Sequence, residues 1–264
     1  MTPTSPASAL FVALAATALP AMSATLVHYW DFEGGYADKA GSADGTAGAE
    51  VSTSTGWDGN TAAQFPGAVS GGGAFDSTGY VDITVGTPVA GAFTMSYWIK
   101  IADDGGTNAR GIFDFSGDGG DGPQSLYIGG TGNLAFRVDG LSGGGAALAP
   151  LAEDDLWHFV VASYDPTNGI EVHIDGFGVD ASNPSTYGTV NWDPDQYLGA
   201  FNVGTNVDRG LDGSLDDVAI YDGLLTESQI NGLFNGTLSP DGIPEPGVTL
   251  LGALGLLGLL RRRR

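Results

Sequence analysis

The 264-residue chain carries 31 acidic residues against nine basic ones, a net charge of −22, with 42% hydrophobic residues and no cysteine. A charge of that sign repels phosphate backbones and excludes nucleic acid as a partner, and without thiols the fold must be held by a hydrophobic core, helped at most by a metal. The 44 glycines, about twice the usual share, follow no fixed period and separate apolar runs; this excludes a collagen or a solenoid and predicts a turn-rich β protein.

In chain order, an apolar run from Ala9 to Leu19 is followed by Pro20 and the small residues Ala21-Met22-Ser23-Ala24. This is the layout of a secretory signal peptide over residues 1–24, although no Lys or Arg precedes the apolar run. Such a run is too short to cross about 30 Å of hydrocarbon, and cleavage is expected after Ser23 or after Ala24.

Residues 25–240 are expected to form one domain, with 29 acidic and five basic residues (Lys39, Lys100, Arg110, Arg137, Arg209). Period-two or continuously apolar runs predict strands at Leu26 to Phe32, Gly79 to Val85, Ala92 to Ile101, Ile112 to Phe115, Ser125 to Ile128 and Leu134 to Val138. The series continues with Trp157 to Tyr164, Ile170 to Ile174, Tyr197 to Phe201 and Ser214 to Tyr221. Asp175-Gly176 between Val172-His173-Ile174 and Phe177-Gly178-Val179 predicts a type I′ hairpin. About ten short strands at this spacing indicate a two-sheet sandwich. One helix is predicted, with Thr226 as N-cap, Gln229 closing a capping box, an apolar face of Ile230, Leu233 and Phe234, and Gly236 as the stop.

Read in order, YWDFEG from Tyr29, FTMSYWIK from Phe93, LWHFVVASYD from Leu156, VHIDG from Val172, YLGA from Tyr197 and GSLDDVAIYDGLLTESQI from Gly213 resemble the laminin G-like members of the concanavalin A-like superfamily. The resemblance implies an all-β, two-sheet antiparallel jelly-roll sandwich with one short C-terminal helix. It also implies glycan or protein ligands, extracellular polysaccharide or a surface protein among them, often around calcium.

The remaining residues, 241–264, hold Pro244-Glu245-Pro246, the apolar run Gly247 to Leu260, and Arg261, Arg262, Arg263 and Arg264. They resemble the PEP-CTERM sorting signal, which implies an exosortase-type processing enzyme as partner, a Gram-negative bacterium, and a cell-surface or matrix location after transient anchoring. A C-terminal membrane helix is expected there, with the arginines left on the cytoplasmic side. Fourteen residues at 1.5 Å each reach only about 21 Å, so a transient stop followed by cleavage near the Pro-Glu-Pro element fits better than a permanent anchor.

No catalytic set is expected. The closely spaced Glu-x-Asp-x-x-Glu pattern of the superfamily's hydrolases is missing, Glu171 and Asp175 lie at opposite ends of a hairpin arm, and no Gly-x-Ser-x-Gly elbow occurs. His28, His158 and His173 fall in three separate runs without metal-ligand spacing. Calcium is the better metal candidate. In Ser214 to Tyr221, strict alternation puts Asp216 on one face with Val218 and Ile220, where a carboxylate needs a cation or backbone N–H groups. The resemblance adds Asp217 and, from the first strand, Asp31 or Glu33 as ligands. GDGGDG from Gly117 reads as a loop, since an EF-hand register from Asp114 places Ser125 where the bidentate Glu belongs. Trp57, Tyr187, Trp192 and Tyr197 are candidate platforms for sugar rings, with core packing as the alternative.

Overall fold

Alternate residues of Phe93–Ile101 face two different hydrophobic cores. Phe93, Met95, Tyr97, Ile99 and Ile101 pack into the larger one, Trp98 packs into a second, and Thr94 and Ser96 stand on the same side as Trp98. That strand, with both faces covered, is the centre of the molecule. The computed structural model describes residues 24–67, 79–86, 89–103, 109–116, 122–138, 146–176, 181–184, 190, 192, 196–201 and 209–244.

Among the described residues the strands are, in chain order, β1 Thr25–Trp30, β2 Thr46–Ala47, β3 Ser52–Thr55, β4 Thr61–Pro66, β5 Val81–Ile83, β6 Phe93–Ile101, β7 Ala109–Asp114, β8 Pro123–Ile128 and β9 Asn133–Val138. They continue with β10 Ala146–Pro150, β11 Trp157–Asp165, β12 Gly169–Ile174, β13 Ala181–Asn183, β14 Gln196–Leu198, β15 Ala200–Phe201, β16 Arg209–Gly210 and β17 Asp212–Asp222. One antiparallel sheet runs β13-β12-β11-β6-β17-β4-β3, with β1 added along β17; a second runs β10-β9-β8-β7-β14-β5-β2. The larger core, with Trp30, Phe65, Tyr97, Phe113, Phe136 and Leu215, lies between them. Each such side chain contributes about 1.5–3 kcal/mol on burial.

Helix α1, Glu227–Phe234, lies on the outer face of the first sheet. Its capping box is formed as expected, with the Gln229 N–H donating to Thr226 and the Gln229 side chain accepting from the Thr226 N–H. Ile230, Leu233 and Phe234 join Tyr29, Trp98, Phe159 and Tyr221 in the second core. Both ends of the described chain end in that core, Ala24 at 1% exposure and Ile243 at 7%. Asp175 and Gly176 have the positive φ expected of the turn, 56° and 75°, but Phe177 to Val179 lie outside the described residues, and β12 pairs with Ala181–Asn183, Val172 opposite Ala181, a register longer than a two-residue hairpin. At Gly199, φ is 79° and an added Cβ would strike the Phe65 ring, so only glycine fits where β14 breaks before β15.

The strand β17 departs from the expected alternation. Leu215, Val218 and Ile220 point into the larger core, whereas Ala219 and Tyr221 point into the second. Asp217 has φ of 47° and the register against β6 slips between Asp216 and Ala219. This bulge inserts one residue and reverses the parity. Asp216 therefore lies on the outer side, opposite Val218 and Ile220, which corrects the shared face expected from strict alternation.

Residues 1–23 of the signal peptide expected over 1–24, and the tail from Glu245 to Arg264, including Glu245, Pro246 and the four arginines, lie outside the described residues. Among the described residues no helix is long and apolar enough to cross a membrane.

Candidate functional site

Along one edge, β17 pairs continuously with β6, but its other edge changes partner. There, β4 covers Asp212 to Leu215 and β1 covers Val218 to Asp222. Asp216 and Asp217 fall in the gap between those two partners, and the turn Gly56 to Asn60, which joins β3 to β4, folds across it. The Trp57 N–H donates to Asp216 Oδ2 at 3.2 Å and the Asp217 N–H to Asp216 Oδ1 at 2.9 Å. Asp217 accepts from the Tyr29 hydroxyl at 2.5 Å and from the Trp57 indole N–H at 2.7 Å.

These residues form one end of a cavity of about 340 Å³ on the outer face of the first sheet. Asp31, Glu33 and Asp58 continue the acidic side, and Trp57, Trp98, Phe159, Leu233 and Leu238 build the apolar side. The indoles of Trp57 and Trp98 are stacked, with ring centroids 4.3 Å apart and planes 9° from parallel. Phe234 of α1 stacks on Trp98 in turn. Ser239 and Pro240, beyond α1, close the rim.

Burial, and after it the charge of Asp217, push the Asp216 pKa up to about 8. Burial also raises Asp217, against the lowering effect of its bonds to Tyr29 and Trp57. The Tyr29 hydroxyl is raised by burial and then by Asp217, so it stays a donor. Ser96 is 1% exposed, and its hydroxyl oxygen is closed off from solvent, as is that of Tyr221; burial raises the Tyr221 pKa, against the lowering effect of Ser96.

All four expected calcium ligands, Asp31, Glu33, Asp216 and Asp217, thus line the same cavity. Their oxygens are directed to other donors. Besides the bonds above, Asp31 accepts from the Glu33 N–H at 3.0 Å and pairs with Lys39 at 3.3 Å, and Glu33 accepts from the Thr61 N–H at 2.7 Å. Among the described residues no group of three His, Asp or Glu is placed to hold a metal ion.

Of the candidate sugar platforms among the described residues, only Trp57 lines the cavity. Trp192 is buried at 7% and donates to the Val89 carbonyl, Tyr197 is buried within β14, and Tyr187 lies outside the described residues. The histidines are built into the framework: His28 Nδ1 is 2.6 Å from Asp38, His158 lies between Asp175 at 2.9 Å and Asp154 at 3.3 Å, and His173 is 7% exposed. Glu153 accepts from the Arg110 guanidinium at 2.6 Å. Asn235 caps the end of α1.

Two antiparallel sheets packed face to face, with a capped helix on one outer face, define a jelly-roll β-sandwich. The chain belongs to the concanavalin A-like lectin/glucanases superfamily, whose family model matches residues 75–231. No curated protein matches it in sequence. Among solved structures it is similar to the binding domain of Paraclostridial Mosquitocidal Protein 1, at 15% identity and TM-score 0.63, covering 81% of this chain and 52% of that one. It is also similar to the botulinum neurotoxin serotype D ligand binding domain, solved in complex with N-acetylneuraminic acid, at 16% identity and TM-score 0.63, covering 80% of this chain and 51% of that one. The botulinum neurotoxin serotype G binding domain gives 12% identity and TM-score 0.64, covering 81% and 51%. The chain spans about half the length of these structures, and at such identities the likeness is one of fold.

Proposed function

We propose that this chain is an exported, non-catalytic surface or matrix protein whose sandwich binds a glycan or protein ligand through the cavity beneath α1. The observation that carries the reading is the pairing, in one cavity of about 340 Å³, of a stacked indole wall with a row of carboxylates. Cavities of this size with an apolar wall and a few convergent polar groups are the usual form of small-ligand sites. The fold offers precedents for binding: one structural neighbour was solved with N-acetylneuraminic acid and another with rat synaptotagmin II. The absence from the sequence of the hydrolase carboxylate pattern supports a binding role over hydrolysis. A glycan array and a pull-down of extracellular material, each run with wild type and Trp57→Ala, test it. Binding lost in the variant is the expected result; no binding to any polysaccharide or surface protein overturns the reading.

Export and sorting belong to the same proposal, through a signal peptide over residues 1–24 and a PEP-CTERM tail read by an exosortase-type enzyme at Pro244-Glu245-Pro246. Intact-mass measurement of the secreted protein tests this part: a chain retaining Arg261 to Arg264 would overturn it. A structural calcium ion at Asp216, Asp217, Asp31 and Glu33 is the second reading of the acidic end. Calcium takes six to eight oxygens at about 2.3–2.6 Å, so Asp31 and Glu33 would have to release their present donors. Titration calorimetry with calcium chloride decides between an ion and the hydrogen-bonded arrangement.

A further inference from the structure

Both ends of the described chain are held by the second core. Ala24, 1% exposed, belongs to that core with Tyr29, Trp98 and Tyr221, and it lies against Gly223, where an added Cβ would come within 3.4 Å of the Ala24 Cα. The next residue, Thr25, opens β1 and pairs with Asp222. After α1 the chain turns back on itself. The Thr237 and Leu238 N–H groups donate to the Gly232 carbonyl at 2.9 and 3.0 Å, and the Gly242 N–H donates to the Ser239 carbonyl at 2.9 Å. Pro240 is buried, and Ile243, 7% exposed, completes the same core. Terminal residues fray unless something ties them down. Here the tied residues stop one step from two processing elements, Ala21-Met22-Ser23 before Ala24 and Pro244-Glu245-Pro246 after Ile243.

Resting on the export and sorting reading above, we propose that the second core marks both processing sites: the leader is cut at the Ser23–Ala24 bond, one residue short of its expected end, and the tail is cut on the far side of Ile243. Each cut adds water across one peptide bond, leaving a carboxylate on one fragment and an ammonium on the other. Leaders are removed at small residues, which Ala21 and Ser23 supply. A cut after Ala24 would delete a buried side chain and put the new ammonium on Thr25, the first paired residue of β1. The tail is cut from the folded domain. Cleavage within a packed segment requires that segment to open first, so the bonds from Ser239 to Ile243 are shielded and the cut falls beyond them.

Two measurements test this. The first is the intact mass of the product secreted from the full chain, expected to begin at Ala24 and to keep Ile243. A product that begins at Thr25 or has lost Ile243 overturns the proposal and leaves the export reading standing, whereas a chain that keeps both ends overturns that reading and the proposal with it. The second is brief digestion of the purified full chain by a broad-specificity protease such as subtilisin, which needs no sorting machinery. The resistant product of the wild type is expected to keep Ala24 and Ile243. Ile243→Asp, which puts a charge into the core, should be trimmed back toward Leu238, and Ile243→Ala should lose its end severalfold faster than the wild type. Should Ile243→Asp unfold the whole domain, the Ile243→Ala rate decides. Wild type trimmed past Ile243, or Ile243→Ala trimmed at the wild-type rate to the wild-type end, overturns the proposal.

Discussion

Asp216 gives the fold a pH dependence opposite in sign to that of a salt-bridged carboxylate. Its pKa rises from 3.8 to about 8, through burial first and the Asp217 charge second. Between those values the folded chain holds a proton that the unfolded chain releases, so stability falls as pH rises from about 4 to about 8 and is level above. From pH 5.5 to pH 8 the ceiling is about 3 kcal/mol, at about 1.36 kcal/mol per pH unit. Relaxation around the open end of the cavity reduces this to about 1–2 kcal/mol, consistent with the high effective dielectric of real sites. At about 2–4 °C per kcal/mol for a chain of this size, the melting temperature should drop by about 2–8 °C between those pH values. Scanning calorimetry of wild type and Asp216→Asn measures it. Asparagine cannot ionise, but its amide nitrogen cannot accept, so one of the Trp57 and Asp217 N–H groups, which donate to separate Asp216 oxygens, loses its acceptor. The variant should therefore melt below wild type at pH 5.5, with the difference shrinking as pH rises to 8. Histidine contributions are common to both proteins and cancel. Parallel curves for the two proteins across this range would refute the reasoning.

Two further predictions concern the framework. Asp38 accepts from the N–H groups of Tyr29, Ala40, Gly41 and Ala43 and bonds His28; although burial alone would raise its pKa, these bonds hold it well below the usual carboxylate range. Asp38→Ala should lose about 3–5 kcal/mol in a denaturant melt, since several buried donors are orphaned, and the wild type should lose this contribution as pH falls below about 4, through the range between the unfolded and folded pKa values. Thr226→Ala removes the cap of α1 and should cost about 1 kcal/mol, read as a melting temperature lower by about 2–4 °C; an unchanged melting temperature would show that α1 is held by its apolar face alone.

The ten runs named from the sequence all became strands or parts of strands, because Phe93–Ile101, Trp157–Asp165 and Gly169–Ile174 carry their own period-two signal. The strands that escaped notice lack it. Ser52–Thr55 is a polar edge strand, Thr61–Pro66 buries small alanines, and Ala146–Pro150 ends on a proline. At the site, Asp216 was legible from its place in an apolar strand and Trp57 as an indole beside a loop-like segment, while Asp217, Asp31 and Glu33 came from the family resemblance alone. Their arrangement was not legible. A single left-handed residue at Asp217 reverses the parity of β17, and no periodicity analysis registers a one-residue bulge. Trp98 and Ser96 were named only as part of the strand from Ala92 to Ile101, because the cavity is made by strands far apart in sequence that meet only where β4 gives way to β1.

The segment after α1 gives the molecule a mechanical property. Ser239 and Pro240 form part of the cavity rim, and Ile243, three residues on, is anchored among Tyr29, Trp98 and Leu233. A load applied to the chain beyond Pro244 therefore reaches Ile243 first, and through it Tyr29 of β1, Trp98 of β6 and the cavity rim together. Under the proposed sorting, traction on a tethered copy would pull on the same few residues that close the cavity rim over the stacked indoles.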